Sequence, residues 1–264
     1  MKIAVTVDVE NDLGFLDTHT GIDEGLPAIV RILEKYGVKG TFFVSGDSLP
    51  YLQKQGFLKD IEAAGHEIGS HGQRHTDYRQ WEYCKIVSEV KQSKRALEDV
   101  LQKEIVGYRA PQFQMSAKYF RAIWECGFLY DSSLPDPKGI SAARLLRKVH
   151  IDEELLALIL QSDMKEFAID SLPILKVPHG LLWINIVTLT AYKRLFSFLH
   201  KDFMMFYLHP FDVIRDKNRI NLDIKRKLFY LKNGNNTESL LDNLISFWIS
   251  KDVNFVRLGD TNNL

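Results

Sequence analysis

Apolar positions along this chain follow two rhythms. Short runs rich in β-branched and aromatic residues at 3–9, 40–44, 67–70, 105–109, 172–177, 203–208 and 253–258 predict strands. Between them, apolar residues recur at helical spacing over 26–36, 51–64, 82–101, 117–126, 191–199 and 237–250. Gly37, Gly65 and Gly127 each close a helical stretch where a left-handed residue is wanted. Strands alternating with helices predict a parallel sheet, and seven of them leave a barrel or a doubly wound sheet. No fixed-period repeat or low-complexity linker breaks the order, so one α/β domain over residues 1–264 is expected.

Both architectures place chemistry at the C-terminal ends of strands. Polar residues gather where the apolar runs stop: Asp8 and Glu10 after the first, Ser70 and His71 after the third, Arg109 after the fourth, and His209 after 203–208. These ends offer acid, base and ligand groups to one rim.

Composition narrows the partners. Lys plus Arg and Asp plus Glu both number 34, so no overall field draws the chain to nucleic acid or to an anionic membrane. Cys84 and Cys126 make no CxxC pair, which removes a cysteine zinc site and a disulfide framework from consideration. The opening Met1-Lys2-Ile3-Ala4-Val5-Thr6-Val7-Asp8 is too short and too soon charged for a signal peptide, so a cytoplasmic protein is expected. The most apolar stretch, 181–189, carries Asn185 and falls far short of the about 20 residues that span a bilayer.

Each candidate residue has two readings. Asp8 and Glu10 flank Val9, so in an extended chain they share a face; they form a paired-carboxylate site or a solvated turn. His71 and His75, at i and i+4, would share one face of a helical turn and suit a divalent metal; with eight histidines present, a chance pair is the alternative. His66 reads as structural. Arg109, before Ala110 and Pro111, can fix a carboxylate through paired hydrogen bonds or form a surface salt bridge. His209 is a general acid or a capped loop histidine. Asp131 orients such a histidine or opens an Asx turn toward Pro135. The segment 180–201, with Trp183, Tyr192, Phe196 and Phe198, is a lipid-contacting patch at the inner face of a membrane or a barrel helix packed inward. His179, after Pro178, could reach substrate.

Taken in order, these segments resemble the five motifs of the NodB-homology polysaccharide deacetylases, carbohydrate esterase family 4, from residue 1 to about 258. Asp8 and Glu10 match the first motif, His71 and His75 the second, Arg109-Ala110-Pro111 the third, Asp131-Ser132-Ser133 the fourth and Leu208-His209-Pro210 the fifth. The first motif departs from the adjacent aspartates of the main branch. It resembles the Asp-x-Asp or Asp-x-Glu branch, which includes enzymes acting on lipid-linked amino sugars, peptidoglycan deacetylase-like proteins and some cyclic amide hydrolases. Gln112 replaces an aromatic.

The resemblance implies an irregular (β/α) barrel of about seven strands. It implies that Glu10, His71 and His75 hold Zn²⁺ or a similar ion, that Asp8 is the base tethered by Arg109, and that His209, oriented by Asp131, is the acid. Pro111 and Gln112 would border the substrate, with a backbone N–H beside Gln112 on the oxyanion, while Leu208 and the apolar stretch around Trp183 would wall the acyl pocket, core packing being the other reading of Trp183. The implied substrate is an N-acylated amino sugar, as glycan, lipid-linked sugar or precursor. A metal-independent cyclic amide hydrolase and a non-catalytic carbohydrate-binding relic are the rival expectations.

Overall fold

A computed structural model describes residues 1–135, 153–172, 177–199, 201–214, 216 and 237–263. Eight parallel strands form its sheet: β1 (Lys2–Val9), β2 (Thr41–Val44), β3 (Glu67–Ser70), β4 (Gly107–Tyr108), β5 (Tyr130–Asp131), β6 (Lys165–Glu166), β7 (Phe203–Leu208) and β8 (Asn254–Phe255). They run in the order β6-β5-β4-β3-β2-β1-β7, with β8 on the start of β1, where Lys2 pairs with Asn254. The sheet curls into a half-barrel with helices around its outside, as expected for a (β/α) barrel of the deacetylase type.

Strand alternation builds this shape. Along β1, Ile3, Val5, Val7 and Val9 are fully buried in the large helix-facing core, and burying each contributes about 1.5–3 kcal/mol. Ala4, Thr6 and Asp8 point the other way, into the barrel. In β7, Met204, Phe206 and Leu208 join the helix-facing core, whereas Met205 and Tyr207 join an inner cluster with Ala4, Phe43, Tyr130 and Phe167. The C-terminal rim of β1, β3, β4 and β7 carries Asp8, Glu10, His71, Arg109 and His209.

Helices cover the outer face: α1 (Leu26–Lys35), α2 (Leu49–Gln55), α3 (Phe57–Ala63), α4 (Tyr83–Leu101), α5 (Ala117–Glu125), α6 (Glu153–Gln161), α7 (Leu181–Val187), α8 (Leu189–Phe196), α9 (Pro210–Val213) and α10 (Thr237–Ile249). The helical stretch expected over 51–64 is two helices, broken where Gly56 takes φ +80°. β5 and β6 have two residues each, too few for any periodicity, and were not expected from the sequence. Most of the strand expected at 172–177 lies outside the described residues. In α8, Tyr192 and Phe196 are buried against α10, so the helix packs inward, whereas Phe198, two residues beyond its end, is 68% exposed. No helix among the described residues is long and apolar enough to cross a membrane.

Candidate metal centre and its acid–base pair

At the end of β1, Glu10 is buried and faces two imidazoles. Its Oε2 lies 2.6 Å from His75 Nε2 and 3.4 Å from His71 Nε2. Neither approach has hydrogen-bond geometry, and Oε2 is a buried oxygen without a hydrogen-bond partner. One donor atom from each of the three residues lies within 4.8 Å of the others. His71 Nδ1 is 2.9 Å from the Arg109 carbonyl, which fits a donated N–H there and leaves the Nε2 lone pair aimed at Glu10. An orphaned carboxylate oxygen converging with two imidazole nitrogens is the donor set that a divalent cation takes, two nitrogens and one oxygen with room for further ligands.

Electrostatics agree with the geometry. Burial pushes the Glu10 carboxyl up, yet His71 and His75 outweigh it and hold the group far below the usual carboxylate range. Burial lowers His75, but Glu10 more than compensates and its pKa is raised.

The two histidines do not share a helical turn. They sit on an irregular loop after β3, reversed at Gly72 and stapled where Tyr78 Oη both accepts from the Arg74 N–H (2.8 Å) and donates to its carbonyl (2.9 Å). The rings lie 5.4 Å apart.

Asp8, two residues before Glu10 on the same side of the chain, is 1% exposed. Arg109 Nη1 donates to its Oδ1 at 2.6 Å and to Thr6 Oγ1 at 2.9 Å. The rest of the fully buried guanidinium is taken by the Ser132 carbonyl, Ser132 Oγ and Met205 Sδ, and it lies 4.3 Å from the Phe43 ring centre. A buried cation with every edge occupied cannot swing away, so Asp8 keeps one orientation. Its other oxygen, Oδ2, is 3.8 Å from His209 Nε2.

His209 is oriented by Asp212, not by Asp131. Asp212 Oδ2 is 3.1 Å from His209 Nδ1 and also accepts the His209 backbone N–H at 2.9 Å. Burial lowers the imidazole pKa, but Asp212 first, then Glu10 and Asp8, raise it to about 10. Asp131 ends β5, with four strands between it and β7 in the sheet. There it accepts from Ser133 Oγ (2.7 Å), which in turn accepts from the Ala110 N–H (2.7 Å). Asp131 thus fixes the residues that cradle Arg109. Burial raises its pKa to about 6 and that of its neighbour Glu166 well above the usual range, so the pair retains a proton.

Two further expectations are corrected. Leu208 is wholly in the helix-facing core, opposite in direction to His209; the inward residue is Tyr207, whose ring packs on Phe113 at 5.2 Å and whose hydroxyl accepts from Trp183 Nε1 at 3.1 Å. His179 is fully buried outside the barrel, its Nδ1 2.8 Å from the Met205 carbonyl and its Nε2 2.9 Å from Tyr192 Oη, with burial lowering its pKa to about 4. It is a core residue. Pro111 is buried in the turn after β4, next to Gln112, which is exposed with φ +57° at the rim. His66 is buried, as a structural histidine should be, and accepts from the Gly40 N–H at 3.0 Å. Asp212, Tyr207 and Phe113 are the site residues that the sequence reading missed.

A half-barrel that gathers a carboxylate and two histidines beside an arginine-clamped aspartate and a histidine brings together the donor and acid–base groups that hydrolytic chemistry calls on. Comparison narrows it. The model of the polysaccharide deacetylase family matches residues 3–130, which include Asp8, Glu10, His71, His75 and Arg109. Over those residues the chain is similar to the polysaccharide deacetylase family. A peptidoglycan deacetylase from Helicobacter pylori is 28% identical over 145 residues, 50% of this chain and 49% of that protein. The chain spans about half or less of the length of the curated relatives it matches. Among solved structures, a family 4 acetyl xylan esterase from Clostridium thermocellum in complex with a cobalt ion superposes with TM-score 0.56 at 15% identity, covering 98% of this chain and 89% of that one. A carbohydrate esterase family 4 pseudoenzyme from Bacillus anthracis gives 0.55 at 13%, covering 99% and 65%. At such identities these structures speak to the fold.

Proposed function

We propose that this protein hydrolyses the N-acetyl amide of an acetylated amino sugar, with Glu10, His71 and His75 holding a divalent cation, Zn²⁺ being the best match to two imidazoles and a carboxylate. The observation that carries the reading is the buried Glu10 Oε2, unpartnered and facing two imidazole nitrogens, beside an aspartate that an arginine holds rigid. Bound there, the cation supplies Lewis acidity that polarises the amide carbonyl and makes water a better nucleophile. The chain's own groups do the rest. Asp8 Oδ2, the oxygen that Arg109 leaves open, takes the proton of the attacking water. His209, kept cationic through neutral pH by Asp212, gives a proton to the departing amine. Phe113 and Tyr207 flank the site as an apolar wall for the acyl methyl. The sugar substrate is supported by the family match and by relatives named for peptidoglycan and chitin.

The test is release of acetate from an N-acetylglucosamine tetramer by zinc-loaded protein. Wild type releases acetate, chelation stops it, and Asp8→Asn stops it with the metal content intact. Turnover that survives exhaustive chelation favours a metal-independent amide hydrolase instead. Sugar binding without acetate release marks a binding relic.

A further inference from the structure

Acid and base do not hold each other in this site. His209 Nε2 stands 3.8 Å from Asp8 Oδ2, beyond hydrogen-bond reach, so their relative placement is set by the elements that carry them. Asp8 is fixed by β1 and by Arg109. His209 opens the short turn α9, and that turn rests on the segment that continues β1 beyond Glu10.

Asp12 organises this segment. It is 1% exposed, and its carboxylate accepts three donors from one stretch of chain: Thr18 Oγ1 (2.7 Å) and the Thr20 N–H (2.9 Å) on Oδ2, and the Gly21 N–H (2.7 Å) on Oδ1. The Asp12 N–H donates to the Thr18 carbonyl at 2.9 Å, which closes the loop on itself. The tie satisfies the leading N–H groups of a π-helical turn, Gly21–Gly25, a wide and rare helical form that runs directly into α1. Two faces of the tied segment meet α9. On the main-chain side, a Cβ on Gly21 would lie 2.8 Å from the Phe211 nitrogen and one on Gly25 1.9 Å from the Pro210 carbonyl oxygen, so only glycine lets the two backbones come this close. On the side-chain side, Leu13 and Leu16 pack on the pair Phe211 and Ile214. Leu13 does so from a left-handed φ of +57°, a conformation costly for leucine.

We infer that Asp12 is a positioning residue for His209: by tying residues 18–21 it seats the Pro210–Phe211 main chain and so sets the gap between the acid and Asp8. Asp8, Glu10 and Asp12 then serve one site from alternate positions, as base, metal ligand and support for the acid. The inference rests on the deacetylase reading for the task of His209. Proton delivery is sensitive to such a seat, since misplacement by about 1 Å can cost about a hundred-fold in rate.

Gly21→Ala and Asp12→Asn test the seat from its two ends. Alanine is the better helix former, so Gly21→Ala leaves the helical turn itself sound while its methyl pushes on the Phe211 nitrogen. Asparagine keeps the size of Asp12 but turns an amide nitrogen toward donors that need an acceptor. Zinc-loaded protein is assayed for acetate release from the N-acetylglucosamine tetramer, whose amine leaves only with a proton, and for hydrolysis of an activated phenyl acetate, whose leaving group needs none. Both variants are expected to lose about ten-fold in tetramer kcat with little change in KM, and to hydrolyse the ester at the wild-type rate. In metal-free protein the ring NMR signals of His209 should move while those of the core histidines His66 and His179 stay in place. Unmoved His209 signals in both variants overturn the seat, as does an equal loss on amide and ester, the mark of general damage to the fold. Movement of His209 in a protein whose wild type releases no acetate upholds the seat and sinks the deacetylase reading instead.

Discussion

Replacing Asp212 by Asn tests the acid half of the site without touching the cluster. Asp212 Oδ2 stands 3.1 Å from His209 Nδ1, and the imidazole is only 30% exposed, so solvent screens the contact weakly. Burial alone would lower the His209 pKa; Asp212, with Glu10 and Asp8, carries it to about 10. A hydrogen bond between charged groups contributes about 1.5–3 kcal/mol, and one pKa unit is about 1.4 kcal/mol, so the variant should lower His209 by about 1–2 units. Histidine NMR titration of metal-free protein reads that shift, and the alkaline limb of the kcat profile of zinc-loaded protein should move down by a similar amount. Stability follows the same sign. A histidine whose folded pKa is raised stabilises the fold fully below its unfolded value of about 6.5, and that contribution fades as pH rises toward 10. In Asp212→Asn the contribution is smaller, and it is exhausted at a lower pH. A His209 titration identical in variant and wild type would refute the assignment of Asp212 as its partner.

Other consequences are as specific. Arg109→Met leaves the Asp8 carboxylate buried without its counter-charge and should cost about 3–5 kcal/mol in urea unfolding, so an unchanged midpoint contradicts the clamp. Gly14→Ala drives a methyl into the His75 ring and should weaken metal affinity at least about ten-fold in competition with a chelator, as loss of ligand orientation does elsewhere. His179→Leu strands the Met205 carbonyl and should lower stability by about 1–3 kcal/mol while leaving the kcat of folded protein near wild type; a selective collapse of kcat would return His179 to the site.

Much of the site was legible because it lies on strand ends. Alternation along β1 put Asp8 and Glu10 on one face, and the apolar runs placed β2, β3 and β7 within a residue or two. The same alternation, applied to β7, would have shown that Leu208 and His209 cannot face the same way. Asp212 also left a signal: Pro210 opens a helical turn, and an acid at its third position reaches back to the preceding residue. Asp131 and His179 were different. Asp131 meets Ser133 and Glu166, and His179 meets Tyr192 and Met205, through pairings that only the closed sheet determines. Two-residue strands such as β5 and β6 carry no rhythm of their own, since the neighbouring strand and not the local sequence makes them extended.

Anomalous scattering from a crystal grown with zinc tests the central claim most directly. The account predicts one strong peak at about 2.0–2.2 Å from Glu10, His71 Nε2 and His75 Nε2 together, the usual zinc distances for nitrogen and oxygen. A peak coordinated by other residues, or zinc-saturated protein with no peak between these three side chains, would contradict it.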